Sequence, residues 1–314
     1  MNNPVFDSSE RFFRYGKFLS DKFGAKVQKV SVNAGFSCPN LDGTISYDGC
    51  IYCNNEGFKP DYCSPEIPVE QQIDAGIKFF SRKRNYLYLA YFQTFTNTHA
   101  SPEILRETLL KAAKHDKTVG IIVSTRPDCI SEKIMDVLKE ISVLKEIMIE
   151  IGVESTNDNT LKFLNRGHNY AQVCTTVENC SKAGLEVGVH LILGLPNESR
   201  EQILNHAKNI SQLPVRSVKL HQLQIVKNTH LAALYEQNPE KLKLINWRDY
   251  VDLCCDFVEH LRPDIAIERF ASIMPPKLLA VQNWDGVKNH HITHLVQKKM
   301  MERGSVQGGK WNSC

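Results

Sequence analysis

The feature that most constrains the fold of this chain is an alternation of short apolar, β-branched runs with amphipathic stretches of helical periodicity. Six runs are predicted strands: Val27–Asn33, Tyr86–Phe92, Thr118–Ser124, Glu146–Gly152, Glu186–Leu193 and Arg216–Leu223. Because the runs are almost continuously apolar, they predict parallel strands that helices cover on one face. Right-handed crossovers would close such units into a full or partial (β/α)6 barrel of the TIM type, an α/β fold.

The length and composition of the chain allow such a barrel. Its 314 residues, 42% hydrophobic and 23% charged, suffice for one large domain or two small ones. We expect an N-terminal extension (1–26), a barrel (27–245) and a helical, basic C-terminal extension (246–314). Without a leader or an apolar run of roughly 18 residues, we predict a cytoplasmic protein with no membrane partner.

Three cysteines, Cys38, Cys50 and Cys53, lie in one segment, CPNLDGTISYDGCIYC, with the spacing C-x11-C-x2-C. Three thiolates can hold three irons of a 4Fe-4S cube and leave the fourth iron open, whereas an electron-transfer cluster is closed by four cysteines. The segment follows the first predicted strand, and barrels of this type carry their working groups on such loops. Tyr52 could stack its ring on a nucleobase beside the cluster. The spacing therefore predicts a reactive iron-sulfur site.

A structural zinc site is the alternative interpretation of these cysteines. Cys63 follows Cys53 after nine residues and would complete a four-cysteine set. Zinc sites usually pair two C-x2-C knuckles, and this segment contains only one. The spacing favours the iron-sulfur cluster and leaves Cys63 as a plain loop thiol.

Polar segments follow other predicted strands, and they carry further candidate residues. Arg126 would lie at the tip of the third strand, where a cation invites either a cofactor anion or an internal ion pair. His190 and His221 lie on the fifth and sixth strands and are the candidate catalytic residues. Each is either a satisfied interior group or a contact to the substrate.

The cysteine segment resembles that of radical S-adenosylmethionine (SAM) enzymes, and GFSCPNLDG, YFQTFTNT, STRPDCI and NRGHNY together resemble the YhcC/YtqA-type branch. Several of these segments are also similar to the radical SAM domain of the elongator catalytic subunit, which modifies wobble uridines of transfer RNA. The resemblance runs from about Arg11 to the C terminus. It does not include the acetyltransferase domain of elongator, so we do not expect elongator's full reaction.

The resemblance implies a partial radical SAM barrel with helical extensions, in which Cys38, Cys50 and Cys53 bind three irons and SAM chelates the fourth. One electron, from a donor such as flavodoxin or ferredoxin, then cleaves SAM to methionine and a 5′-deoxyadenosyl radical. The resemblance assigns Thr96, Asn97, Glu154, Ser155, Ile192 and Gly194 to SAM, and they join Tyr52 and Arg126, which the residues themselves indicate as candidate cofactor contacts.

These residues have different implied parts. Thr96 and Asn97 stand in place of the Gly-Gly-Glu-like segment with which relatives hold the methionine amine. Ile192 belongs to a match to the pattern G-x-I-x-G whose first glycine is replaced, and it would pack on adenine. Glu154 and Ser155 match the place where relatives bind ribose or the methionine carboxylate.

Basic residues interleaved with aromatic residues flank the predicted barrel, although the net charge is only +3. Six bases face one acid between residues 11 and 29, and five bases outnumber two acids between 285 and 314. These flanks could bind RNA phosphates and stack on bases. They could equally be ordinary helices, since Phe12, Tyr15, Leu19 and Phe23 recur at helical spacing. The resemblance to elongator favours RNA.

The predicted function is a radical SAM enzyme that acts on the C5 side chain of a wobble uridine, with transfer RNA as its partner. For this branch the resemblance suggests conversion of carboxymethylaminomethyl to aminomethyl. Two other classes stay open. A radical SAM enzyme for a small metabolite or peptide would not need the basic flanks, and a non-catalytic metal-binding RNA adaptor would gain nothing from an open iron.

Overall fold

The apolar runs form one parallel sheet in a computed structural model that describes residues 9–54, 60–81, 86–272, 274–281, 284 and 286–312. The seven strands are β1 (Val27–Val32), β2 (Leu87–Phe92), β3 (Thr118–Thr125), β4 (Glu146–Glu154), β5 (Glu186–Leu193), β6 (Ser217–Gln222) and β7 (Ala266–Arg269). They pair in chain order, and every neighbouring pair is parallel. No pairing joins β1 to β7 within the described ranges, so the sheet is an open half-barrel.

Helices cover the outer face of this sheet and close its ends. They are α1 (Tyr15–Phe23), α2 (Val69–Phe80), α3 (Pro102–Ala113), α4 (Glu132–Ser142), α5 (Asp158–Phe163), α6 (Tyr170–Lys182), α7 (Arg200–Ser211), α8 (His230–Gln237), α9 (Trp247–His260) and α10 (Asn289–Glu302). Several begin at short polar caps, as when Ser101 accepts a hydrogen bond from the Ile104 N–H at α3. Among the residues described, no helix combines the length and apolarity that crossing a membrane requires.

The two faces of the sheet pack against different partners. On β2, Tyr88, Ala90 and Phe92 belong to the main core under the outer helices, whereas Leu89 and Tyr91 face the interior of the half-barrel. This alternation is the two-residue period of a strand. The interior is apolar where α1 packs into it, and polar toward the carboxyl ends of the strands.

The sheet contains one strand more than the sequence predicts. β7 was missed because it has only four residues, AIER, of which two are charged, so it shows no apolar run. The sheet therefore extends beyond residue 245, the predicted end of the barrel. The six predicted strands are confirmed to within two residues at each end. The predicted extensions include residues 1–8, Asp285 and Cys314, which lie outside the described residues.

Candidate active site

The loop between β1 and α2 brings the three motif cysteines to the carboxyl ends of the strands. The Cys38 carbonyl accepts hydrogen bonds from the amides of Leu41 (2.8 Å) and Asp42 (3.2 Å). The Cys53 amide donates to the Cys50 carbonyl (3.0 Å). Cys38, Cys50 and Cys53 all line one cavity of about 660 Å³, a volume typical of ligand pockets. We call the part of the cavity formed by these three cysteines and Arg166 the cysteine wall.

The surroundings of the cysteines suit an iron-sulfur cluster. Cys50 Sγ accepts weak hydrogen bonds from Asn40 Nδ2 (3.5 Å) and Arg166 Nη1 (3.4 Å), and hydrogen bonds to the ligating sulfurs are typical of iron-sulfur sites. Desolvation, followed by the charges of Cys50 and Cys38, raises the pKa of the Cys53 thiol. In the described parts of the chain no three acidic, histidine or cysteine side chains converge on a single ion. Thiols that bind separate irons of a 4Fe-4S cube do not have to converge on a single ion.

Cys63 does not belong to this group. It is buried beneath β1, where its Sγ–H donates to the Ser31 carbonyl (2.9 Å), and it does not line the cavity. Burial raises the pKa of its thiol to about 12. A zinc site that needs Cys63 as its fourth ligand is thus not assembled.

Arg166, in the segment NRGHNY, ties the cysteine loop to the sheet. Its Nη2 donates to the Gly152 carbonyl (2.7 Å) and lies 3.7 Å from Glu154 Oε1. A Cβ on Gly152 would stand 2.9 Å from Arg166 Nη2, so a side chain there would displace the guanidinium. Asn165 donates from Nδ2 to the Gly49 carbonyl (2.7 Å). Sequence reasoning quoted this segment as a family motif but assigned Arg166 no part.

Glu154 is turned into the cavity by an irregularity at the end of β4. The pairing with β5 shifts register between Gly152 and Glu154, and Glu154 has a left-handed φ of 66°. A non-glycine residue in that region is strained, and such strain recurs at functional sites. The carboxylate of Glu154 lines the cavity beside Arg166, as the predicted cofactor contact requires.

Tyr52 and Ile192 form an apolar side of the same cavity. Both line it, and Tyr52 packs against the buried cluster that contains Ile192, Leu195 and Leu223. The two residues predicted to contact adenine thus lie in one hydrophobic cluster next to the cysteine loop. Thr96 also lines the cavity, and its amide donates to the Ser37 carbonyl (3.1 Å).

Arg126 was predicted to contact either a cofactor anion or an internal acid, and it forms the internal ion pair. Its Nε and Nη2 lie 2.9 and 2.8 Å from the two carboxylate oxygens of Asp128. Nη2 also donates to the Arg166 carbonyl (2.5 Å), while Nη1 is buried at the cavity without a hydrogen-bond partner. Arg126 therefore braces the loop of Arg166 and keeps one donor available.

Three other predicted cofactor residues do not line the cavity. The side-chain amide of Asn97 donates to main-chain carbonyls at the ends of β2 and β3 (3.0–3.1 Å). The Ser155 hydroxyl donates to Glu198 (2.6 Å). A Cβ on Gly194 would lie 2.8 Å from Ile245 Cδ1, so this glycine permits close packing. These residues shape the loops, and a direct contact with SAM is not supported for Asn97, Ser155 or Gly194.

The interior faces of the strands form a charged floor beneath the cavity. Lys29 Nζ lies 2.5 Å from Glu150 and 2.5 Å from Glu268. Lys219 Nζ lies 3.2 and 3.0 Å from the same two carboxylates. The Tyr91 hydroxyl donates to Glu150 (2.7 Å) and accepts from Lys219 (2.8 Å). We call these five residues the floor network.

Both candidate histidines lie at the upper edge of this network and line the cavity. His190 Nε2 is 2.8 Å from Glu150, and the rings of His190 and His221 stack with their centroids 5.8 Å apart. Desolvation and then Lys219 lower the pKa of His190, and desolvation and then Arg269 lower the pKa of His221 well below its usual value. Both imidazoles are therefore neutral at neutral pH. A contact of either with substrate stays a prediction.

Sequence reasoning missed the floor network, although a signal for it exists. Lys29 in VQKVSV, Glu150 in EIMIEIGVE and Lys219 in SVKLHQ are charged residues within apolar strands. A charge in a buried strand needs a partner, because an unpaired buried charge is costly. Which charges pair cannot be read from their positions in the sequence.

The flanks do not form the predicted surface of aromatic residues and free cations. Phe12, Phe13, Tyr15 and Phe18 are buried, so they cannot stack on RNA bases. Many flanking cations also have acidic partners. The pairs include Arg14–Glu10, Lys17–Asp21, Lys22–Glu146, Lys298–Glu302, Lys299–Asp252, Arg303–Asp256 and Lys310–Glu259. The helical interpretation of the N-terminal flank is therefore confirmed.

Comparison with known proteins identifies the family. Residues 47–210 match the model of the radical SAM superfamily, and residues 215–302 match that of the radical SAM C-terminal domain. The chain belongs to the radical SAM superfamily. It is 33% identical over 307 residues to the uncharacterized protein YtqA of Bacillus subtilis (strain 168), covering 97% of this chain and 94% of YtqA. It is 35% identical over 268 residues to YhcC of Escherichia coli (strain K12), covering 85% of each.

More distant similarity extends to the elongator group. A tRNA uridine(34) acetyltransferase of Methanocaldococcus infernus is 25% identical over 198 residues, which cover 62% of this chain and 35% of that protein. The solved structure of Elp3 from the same archaeon superposes with a TM-score of 0.68 at 18% identity, covering 90% of this chain and 64% of that one, and so shares the fold. This protein is a radical SAM enzyme, and its cofactors are a 4Fe-4S cluster and SAM.

Proposed function

We propose that this radical SAM enzyme modifies the C5 side chain of a wobble uridine in transfer RNA, converting carboxymethylaminomethyl to aminomethyl. The observation that carries the proposal is the single cavity that joins the cysteine wall to the polar floor network. The C5 side chain of a uridine that enters between them lies against the cofactor on one side and against charged groups on the other. The relative named for uridine 34 of transfer RNA supports this class of substrate.

We assign three irons of the cluster to Cys38, Cys50 and Cys53, because these thiols face one cavity and Cys63 does not. When bound, the cluster and SAM, started by an electron from a donor such as flavodoxin or ferredoxin, would supply the oxidising chemistry, with SAM ending as methionine and 5′-deoxyadenosine. The substrate would lose a hydrogen atom and then an electron and a proton at its C–N bond beside the carboxylate, and water would hydrolyse the resulting imine to the aminomethyl product and glyoxylate. Arg166 stabilises the arrangement by donating to Cys50 Sγ.

Cavity residues next to the cysteine wall position SAM. Tyr52 and Ile192 offer apolar surfaces to adenine, and the carboxylate of Glu154 can accept hydrogen bonds from ribose hydroxyls or from the methionine amine. Thr96 and the unpartnered Nη1 of Arg126 provide further polar contacts. His190 and His221, held neutral, face the substrate from the opposite side.

Analysis of transfer RNA nucleosides by mass spectrometry tests the proposal. A strain that lacks this protein should accumulate the carboxymethylaminomethyl nucleoside at the wobble position and lose the aminomethyl form. The gene for the unaltered protein should restore the product, and a gene carrying Cys50→Ala should not. An unchanged nucleoside profile in the deletion strain would contradict the transfer RNA substrate while leaving the radical SAM chemistry intact.

A small metabolite or peptide is the second candidate substrate, and one observation favours it. The flanking cations that would distinguish an RNA-binding enzyme are mostly paired with acids. Purified enzyme that binds transfer RNA with an affinity falling steeply as salt rises would support the RNA substrate. Binding that is undetectable or indifferent to salt would support the small molecule.

A further inference from the structure

Arg269, the last residue of β7, is a cation of the cavity without an acidic partner in the described part of the chain. It lines the cavity, and its Nη2 donates to His221 Nε2 (2.8 Å). Its Nε is buried and has no hydrogen-bond partner. Because His221 is neutral, it accepts a hydrogen bond from the guanidinium but does not compensate its charge.

The neighbouring charges leave Arg269 unpaired because they already neutralise one another. Two lysines, Lys29 and Lys219, share two glutamates, Glu150 and Glu268, in the floor network. That quartet has no net charge, so Arg269 adds one positive charge to the cavity. An uncompensated charge in a partly buried site is unfavourable, and an anion supplied from outside would remove the cost.

The position of Arg269 separates it from the groups that face SAM. Arg126 and Arg166, near the cysteines, already have Asp128 and Glu154 as acidic partners. β7 is three strands away from β4, which is roughly 14 Å along the sheet at about 4.8 Å per strand. A cofactor held at the cysteine wall therefore leaves Arg269 available to a second ligand in the same cavity.

We propose that Arg269, oriented by His221, is the binding site for a carboxylate carried by the substrate. A planar guanidinium offers paired N–H donors that match the two oxygens of a carboxylate. The inference rests on the proposed function for the identity of the substrate, whose carboxymethylaminomethyl group ends in a carboxylate. The aminomethyl product lacks that group and carries a positive charge, so the same arginine would favour its release.

Calorimetric binding to the anaerobically reconstituted enzyme with SAM tests the site. The ligands are 5-carboxymethylaminomethyluridine, its methyl ester and 5-aminomethyluridine. The unaltered enzyme should bind the acid at least about tenfold more tightly than the ester or the product. Arg269→Gln should abolish this preference. Arg248→Gln, the same change at an exposed arginine that lies over the Trp247 ring outside the cavity, should keep it.

A second ligand pair separates this site from the identity of the substrate. N-benzylglycine and its methyl ester carry the same N-carboxymethyl group on a ring that is not uridine. If the enzyme prefers N-benzylglycine to its ester but binds none of the three nucleosides, the result supports the carboxylate site and overturns the uridine substrate. Equal binding of acid and ester by the unaltered enzyme, or no binding of any of these acids, overturns the site even if Arg269→Gln does not fold. A preference that survives in Arg269→Gln overturns it as well.

Discussion

The cysteine wall and the floor network meet in one cavity but are built in opposite ways. The wall consists of loop residues whose positions depend on main-chain hydrogen bonds, such as the one from the Cys53 amide to Cys50. The floor consists of side chains from β1, β4, β6 and β7 that are ion-paired with one another, and of Tyr91 on β2, which is hydrogen-bonded to two of them. Substitutions in the wall should therefore cost cofactor binding and activity, whereas substitutions in the floor should cost stability.

The largest expected effect is at the wall. Cys50→Ala should reduce SAM cleavage to the level seen without protein, because under the proposed assignment the cube loses one of three thiolate ligands. Iron content and reductive SAM cleavage after anaerobic reconstitution measure this. Cys63→Ala is the matched control and should keep both, since Cys63 bonds to the Ser31 carbonyl away from the cavity. A cluster that depends on Cys63 would contradict the three-ligand assignment.

Substitutions in the floor network should have their strongest effect on the stability of the protein. Glu150→Gln leaves Lys29 and Lys219 short of a carboxylate, and breaking a buried ion pair from one side costs about 3–5 kcal/mol. Urea denaturation measures the change in the free energy of unfolding. Adding Lys219→Met to Glu150→Gln should recover part of the loss, because it removes the surplus cation that remains when Lys29 and Lys219 share only Glu268. A loss below about 1 kcal/mol would mean that the floor is not the stabilising region.

Glu154 sharpens the comparison, because it lies beside Arg166 of the wall but carries a charge on a strand, as the floor residues do. Glu154→Ala should weaken SAM binding about tenfold or more, the value of a hydrogen bond to a charged group, and leave the iron content unchanged. Equilibrium binding of SAM and an iron assay on the same sample measure the two effects. Loss of iron together with SAM would show that Glu154 supports the cysteine loop.

The two histidines at the edge of the floor network predict that the stability of the protein depends on pH. Desolvation lowers the pKa of both histidines. The second cause is the charge of Lys219 for His190 and the charge of Arg269 for His221. As the pH falls, these histidines therefore bind protons more readily in the unfolded chain than in the folded protein. The stability contributed by these histidines should thus be complete above about pH 6.5 and be lost as the pH falls below it. Denaturation at several pH values measures this. The double variant His190→Gln/His221→Gln should flatten the curve, and the exposed pair His290→Gln/His291→Gln should not.

The smallest expected effect concerns the flanks, which belong to neither region. Lys17→Glu and Lys298→Glu should each weaken transfer RNA binding by less than about threefold, because both lysines are exposed and already ion-paired within their helices. Reductive SAM cleavage without substrate should be unchanged. A drop of more than about tenfold with a reduced salt dependence would assign RNA binding to the flanks.

Much of the fold could be predicted from the sequence, because its main signals are local. Six of the seven strands are apolar runs, and parallel strands covered by helices require such runs. β7 could not be predicted, since its four residues, AIER, owe their conformation to pairing with β6. The N-terminal flank illustrates the same limit. Its aromatic residues at helical spacing indicated a helix, but only the packing of α1 into the half-barrel shows that they are buried.

The sequence by itself determined which three cysteines meet at the cavity, because three thiols within sixteen residues are brought together by one loop. The tertiary structure alone decided the floor. Lys29 and Glu268 are 239 residues apart, and the sequence of neither strand indicates which residue its charged side chain pairs with. The pairing follows from the curvature of the sheet, which turns the inward side chains of β1, β4, β6 and β7 toward one another. The same geometry leaves Arg269 facing the cavity without an acidic partner among the residues that the structure describes, because the charges around it are already paired.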